Sequence, residues 1–314
     1  MSQQPAHIEA NRIAVIANAA SGAFLDRPDA PGTLPDLLGS AGFDVDFISP
    51  DAGSLPERVA LACASGAGMV VVAGGDGSVA CAAQQIAGTG IVLGILPFGT
   101  ANVLARDLDI PIGDLAAAVA VLRDGKVREI DAAEVNGRLY LCASMLGLPA
   151  RLARYREMGR GKGSMTRLWS RFARAAFRAF ARYQAPRVAL TLDGRFVELR
   201  AGAIMITPNL LDDSTGRRLG RDRLDEGRLG LYALKQINLR AILRLLVRLL
   251  LRIIRRDPDF HGAAAREITI LRMGRRAPRT IRVMNDGEVT LMAPPLTYRI
   301  VPRAIRVMAP AESA

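Results

Sequence analysis

Three loops rich in small residues could together hold the phosphate chain of a nucleotide. They are Gly74-Gly75-Asp76-Gly77-Ser78, Asn18 to Gly22, and Pro97 to Asn102, and each follows a short apolar run. Glycine lets backbone N–H groups approach phosphate oxygens closely, and a helix that starts there adds partial positive charge. A tight turn between a strand and a helix explains any one glycine-rich loop equally well. The prediction of a phosphate site therefore depends on the three loops together.

The apolar runs before these loops indicate the elements that must position them. Up to about residue 125, strand candidates alternate with segments of helical composition, and the strand candidates are Ile13–Ala17, Phe43–Ile48, Met69–Ala73 and Ile91–Leu96. This alternation predicts an α/β fold: a Rossmann-like parallel sheet with helices on both faces. The carboxyl ends of parallel strands meet at one edge of a sheet, so we expect the three loops to form one crevice there.

After Arg128 the pattern changes to an antiparallel all-β region. The pairs Asn136-Gly137 and Asp193-Gly194 are strong hairpin signals. The strand candidates are Glu129–Val135, Leu139–Leu146, Arg187–Leu192, Phe196–Thr207, Arg228–Leu234, Glu267–Leu271 and Thr280–Met284. Two arginine-rich segments of helical composition, Arg151–Tyr183 and Leu239–Arg256, interrupt this region.

Composition narrows the class of partner. The chain has 42 Lys and Arg against 30 Asp and Glu, a net charge of +12, which suits an anionic partner. Aromatic residues make up 5% and do not alternate with basic runs, so nucleic acid is disfavoured. The scattered Cys63, Cys81 and Cys142 do not suggest a disulfide framework. With no signal peptide and no transmembrane helix expected, the chain is predicted to be cytoplasmic and peripherally membrane-associated.

The motifs, taken in order, resemble a known family. The chain lacks the Walker pattern and, after its first strand, the dinucleotide glycine pattern. Asn18 to Gly22, Gly74 to Ser78 and Leu96 to Arg106 instead resemble the catalytic domain of the diacylglycerol kinase family. The similarity is closest to its soluble bacterial members, which are related to sphingosine and ceramide kinases. It extends through Asp225–Leu229 and Asn285–Glu288, and so covers nearly the whole chain.

The resemblance implies a two-domain kinase that binds ATP and Mg²⁺. An α/β nucleotide-binding domain would span residues 1–128, with 292–314 packing back onto it, and a β-sandwich lipid-substrate domain would span 129–291. By matched position, the ATP contacts would be Asn18, Ala19, Ala20, Ser21, Gly22, Ser49, Gly74, Gly75, Asp76, Gly77, Ser78, Val79, Ala80 and Thr100. The chain departs from the family at Ser78, Ala80 and Val103, where Thr, Asn and Asp are usual.

Asp286 matches the family's general base. An aspartate within hydrogen-bond reach of a lipid hydroxyl can accept its proton while Mg²⁺ neutralises the phosphates. Judged from the residues alone, Asp286-Gly287 is better explained as a hairpin turn, and only the resemblance favours the base. Asp76, facing phosphates, would either position Mg²⁺ or order its loop.

The resemblance also implies a structural Mg²⁺ site. Its ligands would be the Glu226 side chain, where the family usually has Asp, and the backbone carbonyls of Arg223 and Arg228. A hard cation prefers such oxygens. The alternative is an acidic surface loop.

The arginine-rich segments have two interpretations each. Leu239–Arg256 has an arginine at every fourth position from 240 to 256 among Leu, Ile, Val and Ala, which suits a helix lying in the interface of an anionic membrane. A helix packed on the β domain with solvated arginines is the alternative. Arg151–Tyr183 could be a lid or a membrane lever, and RNA binding is its rival.

Three functions follow from these patterns. The first is an ATP-dependent lipid kinase, with diacylglycerol as the family's default acceptor and ceramide, a sphingoid base or phosphatidylglycerol as others. The second is a NAD kinase-like enzyme, which shares the Gly-Gly-Asp-Gly loop. The third is a lipid- or nucleic-acid-binding module without catalysis. Oligomeric state, including a homodimer, is left open by the sequence.

Overall fold

The computed structural model describes residues 11–18, 30–151, 153, 185–211, 220–235, 260–274 and 279–311. These residues belong to two compact units. The first comprises Met1–Ala132 and Pro302–Ala314, and the second comprises Ala133–Val301. The predicted Ala19 to Gly22 loop, the Leu239–Arg256 segment and nearly all of Arg151–Tyr183 lie outside the described residues.

The first unit is built on a parallel sheet, as predicted. Its strands are β1 (Arg12–Ala17), β2 (Asp44–Ile48), β3 (Met69–Gly74) and β4 (Val92–Pro97), in the order β2-β1-β3-β4. The last strand of the chain, β16 (Leu296–Ala309), adds its C-terminal part in parallel to β4. Every residue of β3 is buried, which explains its continuous β-branched run.

Five α-helices lie within the described residues of this unit. They are α1 (Ala30–Ser40), α2 (Leu55–Ala64), α3 (Asp76–Ile86), α4 (Val103–Asp107) and α5 (Leu115–Asp124). The start of α2 is fixed because Glu57 Oε2 accepts the backbone N–H of Ser54 at 2.7 Å, which satisfies an amide at the helix N-terminus. Only Gly75 separates the end of β3 from the start of α3. The glycine-rich loop is therefore the junction between strand and helix.

The second unit is an antiparallel β-sandwich, also as predicted. Its strands after the unit boundary are the end of β5 (Lys126–Val135), then β6 (Arg138–Tyr140), β7 (Ser144–Gly147), β8 (Arg187–Leu192), β9 (Arg195–Arg200), β10 (Ala203–Pro208), β11 (Leu229–Leu234), β12 (Phe260–Ala265), β13 (Glu267–Met273), β14 (Ile281–Asn285), β15 (Glu288–Met292) and the start of β16. One sheet has the order β12-β11-β10-β7-β14-β15, and β16, β13, β8 and β9 are neighbours in the other. Buried aliphatic residues from both sheets form the core.

Two predicted strands are wrong because each is two strands. Leu139–Leu146 is broken at 141–143, where the backbone turns its N–H groups toward an aspartate described below. Phe196–Thr207 is broken at Ala201 and Gly202, whose N–H groups bond to the carbonyls of Pro186, just before β8, and of Leu234 in β11. Strand β12, rich in Ala and Gly, was not predicted, because such residues give no strand signal.

Candidate nucleotide edge and catalytic carboxylate

The predicted loops gather at the carboxyl edge of the parallel sheet. Strand register places Ala17 beside Ala73 and Gly74 beside Pro97, so the loops after β1, β3 and β4 start side by side. Backbone hydrogen bonds continue past the strands, from Asn18 N to the Ala73 carbonyl and from Phe98 N to the Gly74 carbonyl, each 2.9 Å. The described starts of the three loops therefore adjoin at this edge.

Gly75 and Gly99 lie against each other, so each position requires a glycine. A Cβ added to Gly99 would lie 2.5 Å from the Gly75 Cα, and a Cβ added to Gly75 would lie 3.1 Å from the Gly99 Cα. The loops after β3 and β4 therefore touch through their backbones, which any larger residue would prevent. A Cβ on Gly77 would meet nothing within 4 Å. Of these three glycines, Gly77 is the one whose open side leaves room for a ligand.

Polar side chains lock the same loops together. Asn18 Nδ2 donates to Ser78 Oγ at 2.8 Å, which ties the first loop to the start of α3. The backbone N–H of Val103 donates to Asp76 Oδ1 at 2.6 Å, so Asp76 orders its loop against the start of α4. Asn102, in a left-handed conformation, accepts from Gly99 N at 2.8 Å and donates to Gly99 O at 2.7 Å. These contacts connect the described parts of the three loops.

The remaining predicted contacts differ in what they can offer. Ser78, Val79 and Ala80 are buried, so they could meet a nucleotide mainly through their backbone. The amides of Ser78 and Val79 already bond to the Gly75 carbonyl, which leaves those of Asp76 and Gly77 as the helix-terminal donors. Ser49 and Thr100 are exposed. Ser49 follows β2, beside β1, and its Oγ accepts the Asp51 amide at 3.2 Å.

A buried arginine at this edge was missed by the sequence reasoning. Arg58 is 6% exposed and lies in the first turn of α2. Its Nη1 donates to the carbonyl oxygen of Ala17, the last residue of β1, at 2.8 Å. Its sequence neighbours give no signal, because an arginine within a helical pattern usually faces solvent.

Asp286 occupies a hairpin turn and also binds a second segment of the chain. Asp286 and Gly287 have φ values of 46° and 90° and connect β14 to β15. Asp286 Oδ1 accepts the amides of Cys142 and Ala143 at 2.8 and 3.0 Å, and Oδ2 accepts that of Leu141 at 2.7 Å. A carboxylate has about four lone-pair sites, so Oδ2 keeps one that these amides do not use.

Several buried polar groups surround this carboxylate. Arg221, 4% exposed, donates through Nη1 to the carbonyls of Leu141 and Pro208 at 2.6 and 3.1 Å. Tyr140 has a buried hydroxyl with no hydrogen-bond partner among the described residues, and its ring packs edge-on against Tyr298 at 6.3 Å. The Tyr298 hydroxyl lies 3.1 Å from Ser144 Oγ. The result is a polar cluster inside an otherwise apolar sandwich.

Burial raises the pKa of the Asp286 carboxyl above its ordinary value. The three amides and the positive charge of Arg221 lower the pKa, but they do not offset the loss of solvent around the charge. Burial likewise raises the pKa of Tyr140, and the nearby Tyr298 and Asp286 add to this effect. Asp286 is therefore more basic than a surface aspartate, while Tyr140 stays protonated.

Two family models match this chain. The model described as the diacylglycerol kinase catalytic domain matches residues 12–135. The model described as the YegS C-terminal NAD kinase beta sandwich-like domain matches residues 153–309, half of the chain. The chain belongs to the diacylglycerol kinase family. The resemblance predicted from the loop motifs is confirmed.

Curated members of the family align over part of the chain. A "Diacylglycerol kinase" of Mycobacterium tuberculosis is 34% identical over 128 residues, 41% of this chain and 41% of that protein. A "Probable lipid kinase YegS-like" of Pseudomonas aeruginosa is 48% identical over 91 residues, 28% of this chain and 30% of that protein. The alignments thus span less than half the length of these relatives.

Solved structures share the fold over almost the whole chain. A Bacillus anthracis structure superposes with a TM-score of 0.69 at 19% identity, covering 96% of this chain and 97% of that one. A second structure, that of a diacylglycerol kinase from the same organism, superposes with a TM-score of 0.63 at 16% identity and with the same coverage. At this identity the likeness shows the two-part fold alone.

Two of the three residues predicted to hold a structural metal, Glu226 and Arg228, are linked through Asn209 and already take part in hydrogen bonds. Glu226 Oε2 accepts the Leu210 amide at 3.1 Å, and the Arg228 carbonyl accepts the Asn209 amide at 2.8 Å. Asn209 Oδ1 in turn accepts the Glu226 amide at 3.0 Å. Among the described residues there is no group of three or more His, Cys, Asp and Glu that could hold a metal. The Mg²⁺ with Arg223, Glu226 and Arg228 stays a prediction.

The membrane-facing predictions rest on segments outside the described residues. Within residues 30–151 and the other described ranges, none of the helices has the length and apolar character to cross a bilayer.

Proposed function

We propose that this protein is a lipid kinase that moves the γ-phosphate of ATP onto a lipid hydroxyl, with diacylglycerol as the first candidate acceptor. Because the chain belongs to a kinase family, ATP is the implied phosphate donor. The observation that carries the proposal is the Asp286 carboxylate, held by three amides, raised in pKa and left with one unused lone pair. A purely structural turn does not require that environment.

Asp286 is assigned the role of general base. A base works best when its pKa approaches the working pH, and burial moves the pKa of Asp286 in that direction. Its Oδ2 would take the proton of the lipid hydroxyl as that oxygen forms a bond to the γ-phosphorus and the bond to the ADP oxygen breaks. Arg221 stabilises the ionised carboxylate by its charge. The amides of Leu141, Cys142 and Ala143 fix both carboxylate oxygens in place.

The carboxyl edge of the first unit is assigned to the nucleotide. The helix-terminal amides of Asp76 and Gly77 are oriented to bind phosphate oxygens, and Gly77 leaves the space for them to do so. Mg²⁺ bound with ATP would neutralise the negative charge of the phosphate chain. Hydrogen bonds of Asn18, Ser78 and Asp76 connect the described parts of the loops, which reduces the ordering that nucleotide binding requires there.

The first unit is thus proposed as the nucleotide domain and the second as the lipid-substrate domain. We assign membrane attachment to the arginines of Leu239–Arg256, whose spacing suits an anionic lipid surface. Co-sedimentation of the full chain with anionic vesicles should fall when Arg244, Arg248 and Arg252 are changed to Glu together. Unchanged co-sedimentation would reject the assignment.

The transfer reaction can be tested with a panel of acceptors. The protein is incubated with γ-labelled ATP, Mg²⁺ and vesicles that carry diacylglycerol, ceramide, a sphingoid base or phosphatidylglycerol, and NAD is offered in a separate tube. Label in extracted phosphatidic acid supports the proposal with its first acceptor, and label in another lipid supports the kinase and corrects the acceptor. Label only in NADP would favour the NAD kinase-like alternative, and no transfer would favour the binding module.

A further inference from the structure

Arg58 is a buried cation without an anionic partner in the described part of the chain. Among the described residues, its one hydrogen bond goes from Nη1 to the Ala17 carbonyl, and its buried Nε has no partner there. No ion pair joins it to an acidic side chain of residues 30–151 or of the other described ranges. Burying a charge is unfavourable unless an opposite charge compensates it.

The helix that carries Arg58 increases this penalty. Arg58 lies in the first turn of α2, whose N-terminus has partial positive charge from the aligned peptide dipoles. A cation is stabilised at the other end of a helix, so its position here opposes the dipole. The nearby Glu57 carboxylate is exposed and is committed to Ser54. Local structure therefore gives no reason to prefer arginine at this position.

The place of Arg58 in the fold does supply a reason. Ala17, which Arg58 contacts, ends β1 beside Ala73 of β3, and Gly74-Gly75 follows at once. On the other side β1 pairs with β2, after which Ser49 follows. The guanidinium thus lies at the carboxyl edge among the loops assigned to the nucleotide, within the first unit.

We infer that Arg58 is a nucleotide-binding residue whose guanidinium binds the phosphate chain. Arginine presents planar, paired N–H donors that match phosphate oxygens, and an incoming phosphate supplies the anion that the buried charge lacks. The Ala17 carbonyl holds the side chain in a fixed orientation before the ligand arrives. The inference rests on the proposed function in taking ATP as the phosphate donor.

The test compares Arg58→Gln with Arg306→Gln. Arg306 is a matched control because its Nη1 also donates to a backbone carbonyl at 2.8 Å, that of Gly90, which lies before β4 and so at the opposite edge. Calorimetry on the full chain measures affinity for ADP, inorganic tripolyphosphate and adenosine, without lipid. Arg58→Gln should weaken ADP and tripolyphosphate at least tenfold and adenosine less than twofold, and Arg306→Gln should change none.

Equal weakening of adenosine and ADP, or unchanged affinity for tripolyphosphate, would overturn the inference. A second variant guards against a folding defect. Arg58→Met removes an uncompensated charge, so its ligand-free melting temperature should equal or exceed that of the wild type, and tripolyphosphate should no longer raise it. A lower ligand-free melting temperature with an unchanged tripolyphosphate shift would show a structural arginine and reject the inference.

The two proposals can fail separately. A wild-type protein that binds tripolyphosphate through Arg58 but labels no lipid would keep the inference and remove the lipid kinase. A wild-type protein that labels lipid while Arg58→Gln binds ADP normally would do the reverse.

Discussion

Two hairpins of the β-sandwich have the same construction and different surroundings. Asp193-Gly194 has φ values of 45° and 80°, close to the 46° and 90° of Asp286-Gly287. In each, the aspartate amide donates to a carbonyl of a neighbouring segment, and Oδ1 accepts two successive amides in return. The Asp193 pair is formed with Arg266 and Glu267 at the surface, whereas Asp286 is half-buried beside Arg221 and Tyr140.

The comparison separates the turn from the chemistry. At both sites, two local features explain why the turn begins with aspartate. The backbone is left-handed there, and the side chain accepts hydrogen bonds from a neighbouring segment. Burial raises the pKa of Asp286, whereas Asp193 is exposed at the surface. A hairpin aspartate and a catalytic aspartate are therefore not competing explanations of Asp286. In the proposed mechanism the same kind of turn carries the base, and burial raises the pKa of its carboxyl.

The largest expected difference between the two turns is in turnover. Asp286→Asn removes the proton acceptor and should lower the rate of phosphate transfer by about 10²- to 10⁴-fold, the usual contribution of a general base. Asp193→Asn should leave the rate within about twofold, because an exposed carboxylate that only bonds amides takes no part in transfer. Steady-state kinetics with lipid vesicles measures both. Similar losses in the two variants would contradict the distinction.

The pH dependence should carry the signature of the raised pKa. A base acts only when deprotonated, so activity is full above the pKa of Asp286 and falls as pH decreases through it, about tenfold per pH unit. Because burial raises that pKa above the ordinary 3.8, the acid limb should lie at higher pH than for a surface aspartate. A pH–rate profile with a thermal-stability control at each pH measures it. A flat profile down to the ordinary aspartate range would refute the assignment.

Arg221 offers a smaller effect on the same profile. Its charge lowers the pKa of Asp286, so Arg221→Met should move the acid limb to higher pH and reduce activity most in mildly acidic buffer. Arg299→Met is the control, since Arg299 pairs with Glu267 beside the Asp193 turn at 2.7 Å on the surface. It should leave the limb in place. Arg221→Lys keeps the positive charge, so its acid limb should lie between those of the wild type and Arg221→Met. A limb that does not move in Arg221→Met would exclude an electrostatic role.

The smallest expected difference concerns the shared backbone. Gly194 and Gly287 have positive φ, and an added Cβ meets nothing within 4 Å at either. Gly194→Ala and Gly287→Ala should each reduce the free energy of unfolding by about 1–2 kcal/mol, from left-handed strain alone. Urea denaturation compares them. Clearly unequal losses would show that the two turns are not equivalent in construction.

Much of this architecture could be predicted from the sequence. The parallel sheet followed from β-branched runs that stop at glycine, and the sandwich followed from Asn-Gly and Asp-Gly pairs. The turn at Asp286 was also predictable. The amides that it binds were not, because Leu141 is 145 residues away and was predicted to lie inside a strand.

The same limit explains the other residues that were missed. The sequence around Arg221 and around Arg58 is typical of surface arginines. Only tertiary packing buries these two side chains. Gly75 and Gly99 were interpreted as residues that let phosphate approach, yet their closest neighbours are each other. Local patterns predict elements and turns, whereas burial and long-range contacts decide which polar residues become chemically distinct.

The central claim is tested most directly by one label-transfer measurement on three proteins. Calorimetry first establishes that wild type, Asp193→Asn and Asp286→Asn bind ADP with the same affinity. The three proteins are then incubated with γ-labelled ATP, Mg²⁺ and diacylglycerol vesicles, and the label in the extracted lipid is counted. We predict labelled phosphatidic acid from the first two proteins and almost none from Asp286→Asn, which still binds ADP. The account would be contradicted if Asp286→Asn labelled lipid at the wild-type rate. It would also be contradicted if none of the three proteins labelled lipid.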